Sequence, residues 1–423
     1  MLDWLQASLQ RRPAALRTLL RFGKDPLQRF ALTFADGPAV VDIFERSRDF
    51  QVGSTIAPKA KLGPFLLSLD EGPRHTREKR ALSRAIGLSF ATFAPIAAAE
   101  SARAAADLAL QLGDEPRIDL ASDFAELVYT RTLARYFGLP LDGWQCPDLD
   151  APDGERTLAL YIRTLGSTIG SGHPAPFGLE QLALRVSKKF EGELEAVISQ
   201  QMGQQPADTV LGHLLQPQPR PGEDAEQVRA DAEFVQQDGL VRSIGGLLSA
   251  GAGFPKAFSN AIHEWILHGQ LHVLEAASRQ LPDPAWGQLV QAHVLEALRL
   301  RPVFPLLVRY CPRATALAGQ EVPAGSEIAF APIAAMSDPT LVESPEEYRP
   351  GRPDHVYSVF GWGPRACIGR NMMLGLVPPM LKALFAQVPG FANAPLGEFA
   401  YDGPALDRYW FTPQPHAAHA QVS

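Results

Sequence analysis

Residues 360–370 read FGWGPRACIGR, a run that sets one cysteine, Cys367, between glycines and an arginine just ahead of an apolar helical stretch. Gly363 and Gly369 permit tight turns and a close approach of backbone to a flat ligand. Cys367 falls immediately before a helix expected to start near Ile368, so amides at the helix N-terminus favour its thiolate. Arg365 stands two residues from the cysteine, within reach of an anionic group at the ligand edge. Phe360 supplies an apolar wall that keeps water from the sulfur. A single cysteine in a Gly-rich turn is ordinarily an inert buried thiol. Here the spacing F-x-x-G-x-R-x-C-x-G is complete in Phe360, Gly363, Arg365, Cys367 and Gly369, and it describes a thiolate that is ionised, oriented and shielded for a metal.

Composition sets the frame around that loop. The 423 residues are 46% hydrophobic and 20% charged, which is ordinary globular composition, and long enough to bury a prosthetic group. The net charge of −7 argues against a nucleic-acid partner. The basic cluster Arg74, Arg77, Lys79 and Arg80 is short and has no interleaved aromatics for stacking bases. Cys146, Cys311 and Cys367 form no C-x-x-C pair, so neither a zinc site nor a disulfide scaffold is indicated. An odd cysteine count without a signal-like leader points to a reducing, cytoplasmic setting. No window reaches 18 uninterrupted apolar residues, so no membrane span is expected.

Periodicity predicts helices over 1–30 (amphipathic and basic), 83–112, 121–138, 176–202, about 228–270 and about 368–387. Residues 30–41 have strand character broken by a turn at Asp36, Gly37 and Pro38. The proline-rich stretch 216–226 reads as a surface loop. After Pro302 the chain shifts to short strands, turns and an irregular Pro/Gly-rich loop.

A second element lies upstream: Glu296-Ala-Leu-Arg299, followed by Arg301-Pro302. Glu296 and Arg299 are three apart on one helix face and can pair. The pair precedes the cysteine loop by about 70 residues. With the cysteine motif, it resembles the cytochrome P450 superfamily over roughly residues 40 to 415. The resemblance implies a mainly α fold with a small β-rich region, as a single domain over 1–423 with a shortened or atypical region at 1–40. It implies haem b, with Cys367 as axial ligand to the iron. It implies a structural lock of Glu296 and Arg299 onto Arg352, with Arg349 as the alternative. It places haem propionates near His75, Lys79 (an arginine in the family), Arg309 and Arg365.

One departure matters for chemistry. The family's distal helix carries a small–Gly–x–acid–Thr run that helps supply protons for dioxygen activation. Here Ala250-Gly251 aligns with the small–Gly pair, so Gly253 takes the place of the acid and Phe254 that of the threonine. Pro255 follows, in mid-helix, and is expected to free the Gly251 carbonyl. Gly251, Gly253, Phe254 and Pro255 thus line the distal side without a proton relay. Three readings stay open. One is a monooxygenase of a lipophilic small molecule, fed by a ferredoxin-type electron donor. Another is a peroxygenase or fatty-acid hydroperoxide isomerase or lyase that needs no donor. The third is a catalytically silent haem-binding or sensing protein.

Arg77, Arg80 and Arg370 are candidates for docking an acidic electron donor, and residues 61–67 and 408–411 for substrate specificity. Other signals are discounted. Gly251-Ala-Gly253 lacks the third glycine and the βαβ context of a dinucleotide loop. His268 and His272 have zinc-compatible spacing but no carboxylate in pattern, and His416 and His419 sit in a polar tail.

Overall fold

A computed structural model describes residues 32–112, 117–170, 177–204, 207–402 and 405–414; the helix expected over 1–30 and the histidines of the polar tail lie outside them. Strand β1 (Leu32–Phe34) leads to Asp36, whose carboxylate accepts from the Ala39 N–H at 2.8 Å. With Pro38 in the first turn, this is a helix cap, and α1 (Gly37–Glu45) begins where a turn was expected. The helix expected over 83–112 is two, α2 (Pro73–Leu88) and α3 (Phe90–Gln111), bent by 63° at Ser89. The Ser89 hydroxyl donates back to the Ala85 carbonyl at 3.1 Å, a bond that competes with the helix ladder and bends it.

A π-helical turn at Leu120–Ala125 runs into α4 (Glu126–Phe137), which Gly138 ends in left-handed backbone at φ +85°. Helices α5 (Gly154–Gly170), α6 (Phe177–Gln201) and α7 (Val210–Leu215) follow. The loop expected at 216–226 ends slightly early, because Asp224 caps α8 (Ala225–Ala250) through the N–H groups of Glu226 and Gln227.

The long helix expected over 228–270 is interrupted twice. Gly239 adopts φ +141° inside α8, and a 3-10 turn, Gly251–Gly253, separates α8 from α9 (Phe254–Leu267). Pro255 therefore occupies the first turn of α9, where a missing N–H costs nothing, rather than mid-helix. The Gly251 carbonyl is not freed: it accepts from the Phe254 N–H. Helices α10 (Leu271–Gln280), α11 (Asp283–Leu300) and α12 (Arg370–Gln387) complete the helical body, and α12 starts at Arg370 rather than near Ile368.

The β structure is small. Strand β6 (Ser326–Phe330) pairs parallel with β1 and antiparallel with β3 (Leu307–Cys311). Strands β4 (Thr315–Leu317) and β5 (Gln320–Val322) form a hairpin through Ala318 and Gly319, both at positive φ as such two-residue turns require. Strand β8 (Ala405–Phe411) lies between β2 (Ile118–Asp119) and β7 (Glu398–Asp402). The architecture is the mainly α fold with a small β-rich region that the sequence implied. No single helix among the described residues is long and apolar enough to cross a membrane.

The core positions the cysteine loop. Helix α12 packs against α3 where Gly375 leaves room for the Phe93 ring: an added Cβ would stand 3.3 Å from it. Trp286 of α11, 2% exposed, ties in from the other side, its Nε1–H donating to the Pro378 carbonyl at 3.1 Å. The start of α12, and the loop ahead of it, are thus held by packed helices on both sides.

Candidate functional site

Gly361 and Gly363, in the loop ahead of α12, take φ +66° and +63°, backbone that a side chain would strain. The motif identifies the second of them; the first bears the same constraint without being singled out. Gly369 does not: its φ is −84°, and an added Cβ would make ordinary contact with the Cys367 sulfur at 3.6 Å. Phe360 acts through its backbone, its carbonyl accepting from the Cys367 N–H at 2.9 Å, while its ring packs on the main core. Cys367 is exposed, whereas Cys146 and Cys311 are buried. Enough protein surrounds Cys367 that burial pushes its thiol pKa up. The amides of Gly369 and Arg370 and the charge of Lys79 act in the opposite sense, toward thiolate.

Four basic side chains gather at this loop from three elements. Lys79 of α2 donates to the carbonyls of Pro364 at 2.5 Å and Ala366 at 3.4 Å. Arg365 reaches the carbonyls of Leu69 and, at 2.7 Å, Leu67. Arg309 of β3 lies over the Phe330 ring, 5.0 Å from its centroid. Burial, then the charges of Arg365 and Lys79, pushes His75 down to about 4. Burial and Arg365 push Arg309 down to about 9, and burial lowers Lys79 and Arg365 as well.

Asp70 and Glu71 offset this only partly, because both are engaged elsewhere. Asp70 accepts from the amides of Val52 and Gly53 at 2.8 and 2.9 Å, and Glu71 from Ser47 and Arg48 at 2.5 and 3.0 Å. A cluster of basic groups whose charged forms destabilise one another suits a ligand with two carboxylates. A thiol beside it suits a thiolate-binding metal. Haem carries both, so the donor set fits it.

Glu296 and Arg299 form a wholly buried pair at 2.8 and 3.0 Å. Arg352 Nε donates to Glu296 at 3.2 Å, and its remaining nitrogens donate to the carbonyls of Glu343, Ser344 and Glu347. Arg349 touches Glu296 through its backbone N–H at 2.9 Å, while its side chain reaches the exposed Glu343. Tyr357, which carries no motif signal, adds its hydroxyl to Glu296 at 3.4 Å.

The distal bend is shaped by Tyr129 of α4. Its hydroxyl donates to the Leu248 carbonyl at 2.9 Å and its ring stacks on Phe254 at 5.5 Å. Its pKa is raised by burial first and then by the charge of Cys367, which relates the bend to the cysteine loop in space. Phe254 is 4% exposed, so it packs rather than protrudes. An added Cβ on Gly251 would stand 1.7 Å from the Tyr129 Oη; on Gly253 it would stand 3.1 Å from a Val303 methyl. Gly251→Ala is accordingly expected to cost about 1–3 kcal/mol, since the pinned Tyr129 cannot retreat. Gly253→Ala, whose contact is longer by more than an ångström and whose φ is ordinary, should cost less and leave the urea midpoint closer to that of the parent.

The other candidates fall as follows. Arg80 is bound to Asp231 at 2.7 Å and Arg370 to Asp354 at 3.0 Å, while Arg77 lies 5.7 Å from the Phe234 ring. Phe65, in segment 61–67, fills the space left by Gly246 of α8, where a Cβ would be 2.5 Å from its ring. In segment 408–411, Tyr409 and Phe411 are wholly buried in the main core. His268 does have a carboxylate at hand, Glu264 at 3.5 Å, and stacks on Tyr348. No metal-holding cluster of three His, Cys, Asp or Glu side chains occurs among the described residues.

Comparison with known proteins places these observations. The family model for cytochrome P450 matches residues 279–374. The C-19 steroid 1alpha-hydroxylase of Sorangium cellulosum (strain So ce56) is 27% identical over 67% of this chain and 64% of its own length. The steroid 21-hydroxylase of Canis lupus is 33% identical over 28% of this chain and 27% of its own. The chain thus spans less than two thirds of either relative. The crystal structure of CalO2 superposes with a TM-score of 0.72 over 97% of this chain and 98% of that one, at 18% identity. That of CYP109E1 from Bacillus megaterium in complex with testosterone gives 0.69 over 95% and 99%, also at 18%.

Proposed function

The chain belongs to the cytochrome P450 superfamily, and from that premise we propose that it is a haem-thiolate monooxygenase of a lipophilic small molecule. The observation that carries this reading is the gathering of His75, Lys79, Arg309 and Arg365 around the loop that presents Cys367. Bound there, haem b supplies the chemistry that places an oxygen atom into an unactivated C–H bond. Cys367 would hold the iron through its sulfur, with the Gly369 and Arg370 amides and Lys79 favouring the thiolate. The four basic side chains would pair with the propionates. Lys79 offers charge without the planar fork of an arginine, so Arg309 and Arg365 give the directional contacts. Glu296, Arg299 and Arg352 keep the preceding loop in place.

On the distal side, Gly251, Gly253, Phe254 and Pro255 form the wall, with Phe254 fixed by Tyr129. None of the side chains from Gly251 to Phe254 can pass a proton, which leaves water, the substrate or a group outside this stretch to carry it. Electrons would come from a ferredoxin-type donor, for which Arg77, paired with no carboxylate among the described residues, is the candidate contact; Arg74 and Arg80 beside it are held by Asp238 and Asp231. The same lack of an acid and an alcohol at Gly253 and Phe254 favours a second reading, in which a peroxide brings both oxidant and protons.

One experiment separates these readings: product formation from a lipophilic panel headed by steroids. A surrogate ferredoxin–reductase chain is compared with hydrogen peroxide, and a fatty-acid hydroperoxide is also given alone. Product only with the electron chain is the expected result. Product only with peroxide or hydroperoxide would replace the first reading by the second, and no product with any oxidant would sink both.

A further inference from the structure

Helix α9 holds a buried charge with nothing to answer it. Lys256, in its first turn, is 7% exposed, and the neighbouring buried residues Phe254, Ala257 and Phe258 are apolar. Its ammonium has no hydrogen-bond acceptor or carboxylate partner among the described residues. Burial alone pushes its pKa down to about 7, with no charged neighbour contributing. The ionisable groups further along the same helix are matched elsewhere: Arg301 holds Glu264 at 2.7 Å, and His263 meets the Tyr409 hydroxyl at 3.3 Å. The residue is 7% exposed and its nitrogen is not fully sealed from solvent; an unpaired, largely buried ammonium is still costly, and a methionine of similar length would fill the same space without that cost.

Helical spacing gives the direction in which Lys256 emerges. Gly253 and Asn260, three before and four after it, share its face of the helix. Gly253 abuts Val303 and Phe304, and Asn260 donates to the Arg301 carbonyl at 3.0 Å. Lys256 therefore lies on the stripe that faces residues 301–304, beside the distal bend. Phe304 is a large apolar side chain left 42% exposed there. A cation and an exposed aromatic ring on one seam complement a molecule that is mostly apolar and carries one anionic group.

We propose that Lys256 is a specificity-determining residue that pairs with a carboxylate on an otherwise lipophilic substrate, held between the distal bend and residues 301–304. The inference rests on the monooxygenase reading for where the substrate sits, but its test is binding and not turnover. The haem-loaded full chain is titrated calorimetrically, slightly below neutral pH, with decanoic and hexadecanoic acids, a bile acid, and the methyl ester of each. At least one acid is expected to bind about tenfold or more tightly than its ester, a gap of about 1.4 kcal/mol. In Lys256→Met that gap closes while ester affinity is kept, and Lys256→Arg recovers part of it. Thermal denaturation controls for folding: Lys256→Met should melt no lower than the parent, because it removes an uncompensated buried charge. Three results would overturn the proposal: no preference for any acid in the parent, a preference that survives Lys256→Met, or a lower melting temperature in that variant. A chain that shows the preference but turns over with no oxidant keeps this inference and loses the monooxygenase reading.

Discussion

Cys367→Ala is expected to abolish turnover and to weaken haem retention by more than roughly 100-fold, beyond what changes in the outer shell of a metal site typically cost. The reasoning is comparative. Cys146 and Cys311 are buried within packing clusters, and the Cys311 thiol donates to the Arg313 carbonyl at 3.0 Å. Their alanine variants should keep haem and lose only modest stability. Cys367 is exposed, so as a structural residue it would contribute little, and its truncation would be mild. A large effect confined to this position can only come from its sulfur as a ligand. Cys367→Ser sharpens the test, since serine keeps the size and can still accept from the Gly369 and Arg370 amides while replacing a soft thiolate by a hard oxygen. If the amides alone mattered, serine would behave like the parent; on the ligand reading it falls close to alanine. Haem per chain after gel filtration, together with product formation, decides between them. A Cys367→Ala protein that keeps both would remove the thiolate from the proposed function.

Residues 360–370 were legible because coordination of a flat cofactor writes its demands into contiguous sequence. A thiol, a helix start and a turn that only glycine adopts at Gly363 must stand within a few residues of one another. The pairing of Glu296 with Arg299 was legible for the same reason, being set by helix geometry. Interactions that fold together distant segments left no such trace. Tyr129 sits on α4, and nothing at position 129 signals that its ring will stack on Phe254 and press on Gly251 more than a hundred residues later. Tyr357 is equally silent, though it completes the shell around Glu296. Pro255 misled in an instructive way: a proline in an apolar run reads as a kink. The two glycines before it let the chain close a 3-10 turn and start a new helix, which turns the proline into an N-terminal residue. The isolation of Lys256 was invisible too, since a missing partner is a property of packing.

Glu296→Gln is expected to destabilise the protein by about 3–5 kcal/mol, the range for removing one member of a buried ion pair. The carboxylate takes the Arg299 guanidinium on both oxygens, Arg352 Nε on one, the Arg349 amide on the same one and the Tyr357 hydroxyl on the other. Glutamine offers one acceptor oxygen where these donors need two. It also leaves two guanidinium groups, 0% and 8% exposed, without a countercharge. Arg352→Lys tests the other side of the lock. A lysine restores the charge but cannot at once reach Glu296 and the carbonyls of Glu343, Ser344 and Glu347, which together hold the stretch 343–347 against α11. Arg349→Ala is the control, because the contact of Arg349 with Glu296 is made by its backbone, and its side chain holds only an exposed pair with Glu343. Urea denaturation of the three variants should therefore rank Arg349→Ala near the parent, Arg352→Lys clearly below it and Glu296→Gln lowest. Each loss should be matched by weaker haem retention, since the stretch that Arg352 braces leads directly into the loop presenting Cys367. A Glu296→Gln protein as stable as Arg349→Ala would mean that the buried carboxylate is not what locks that loop.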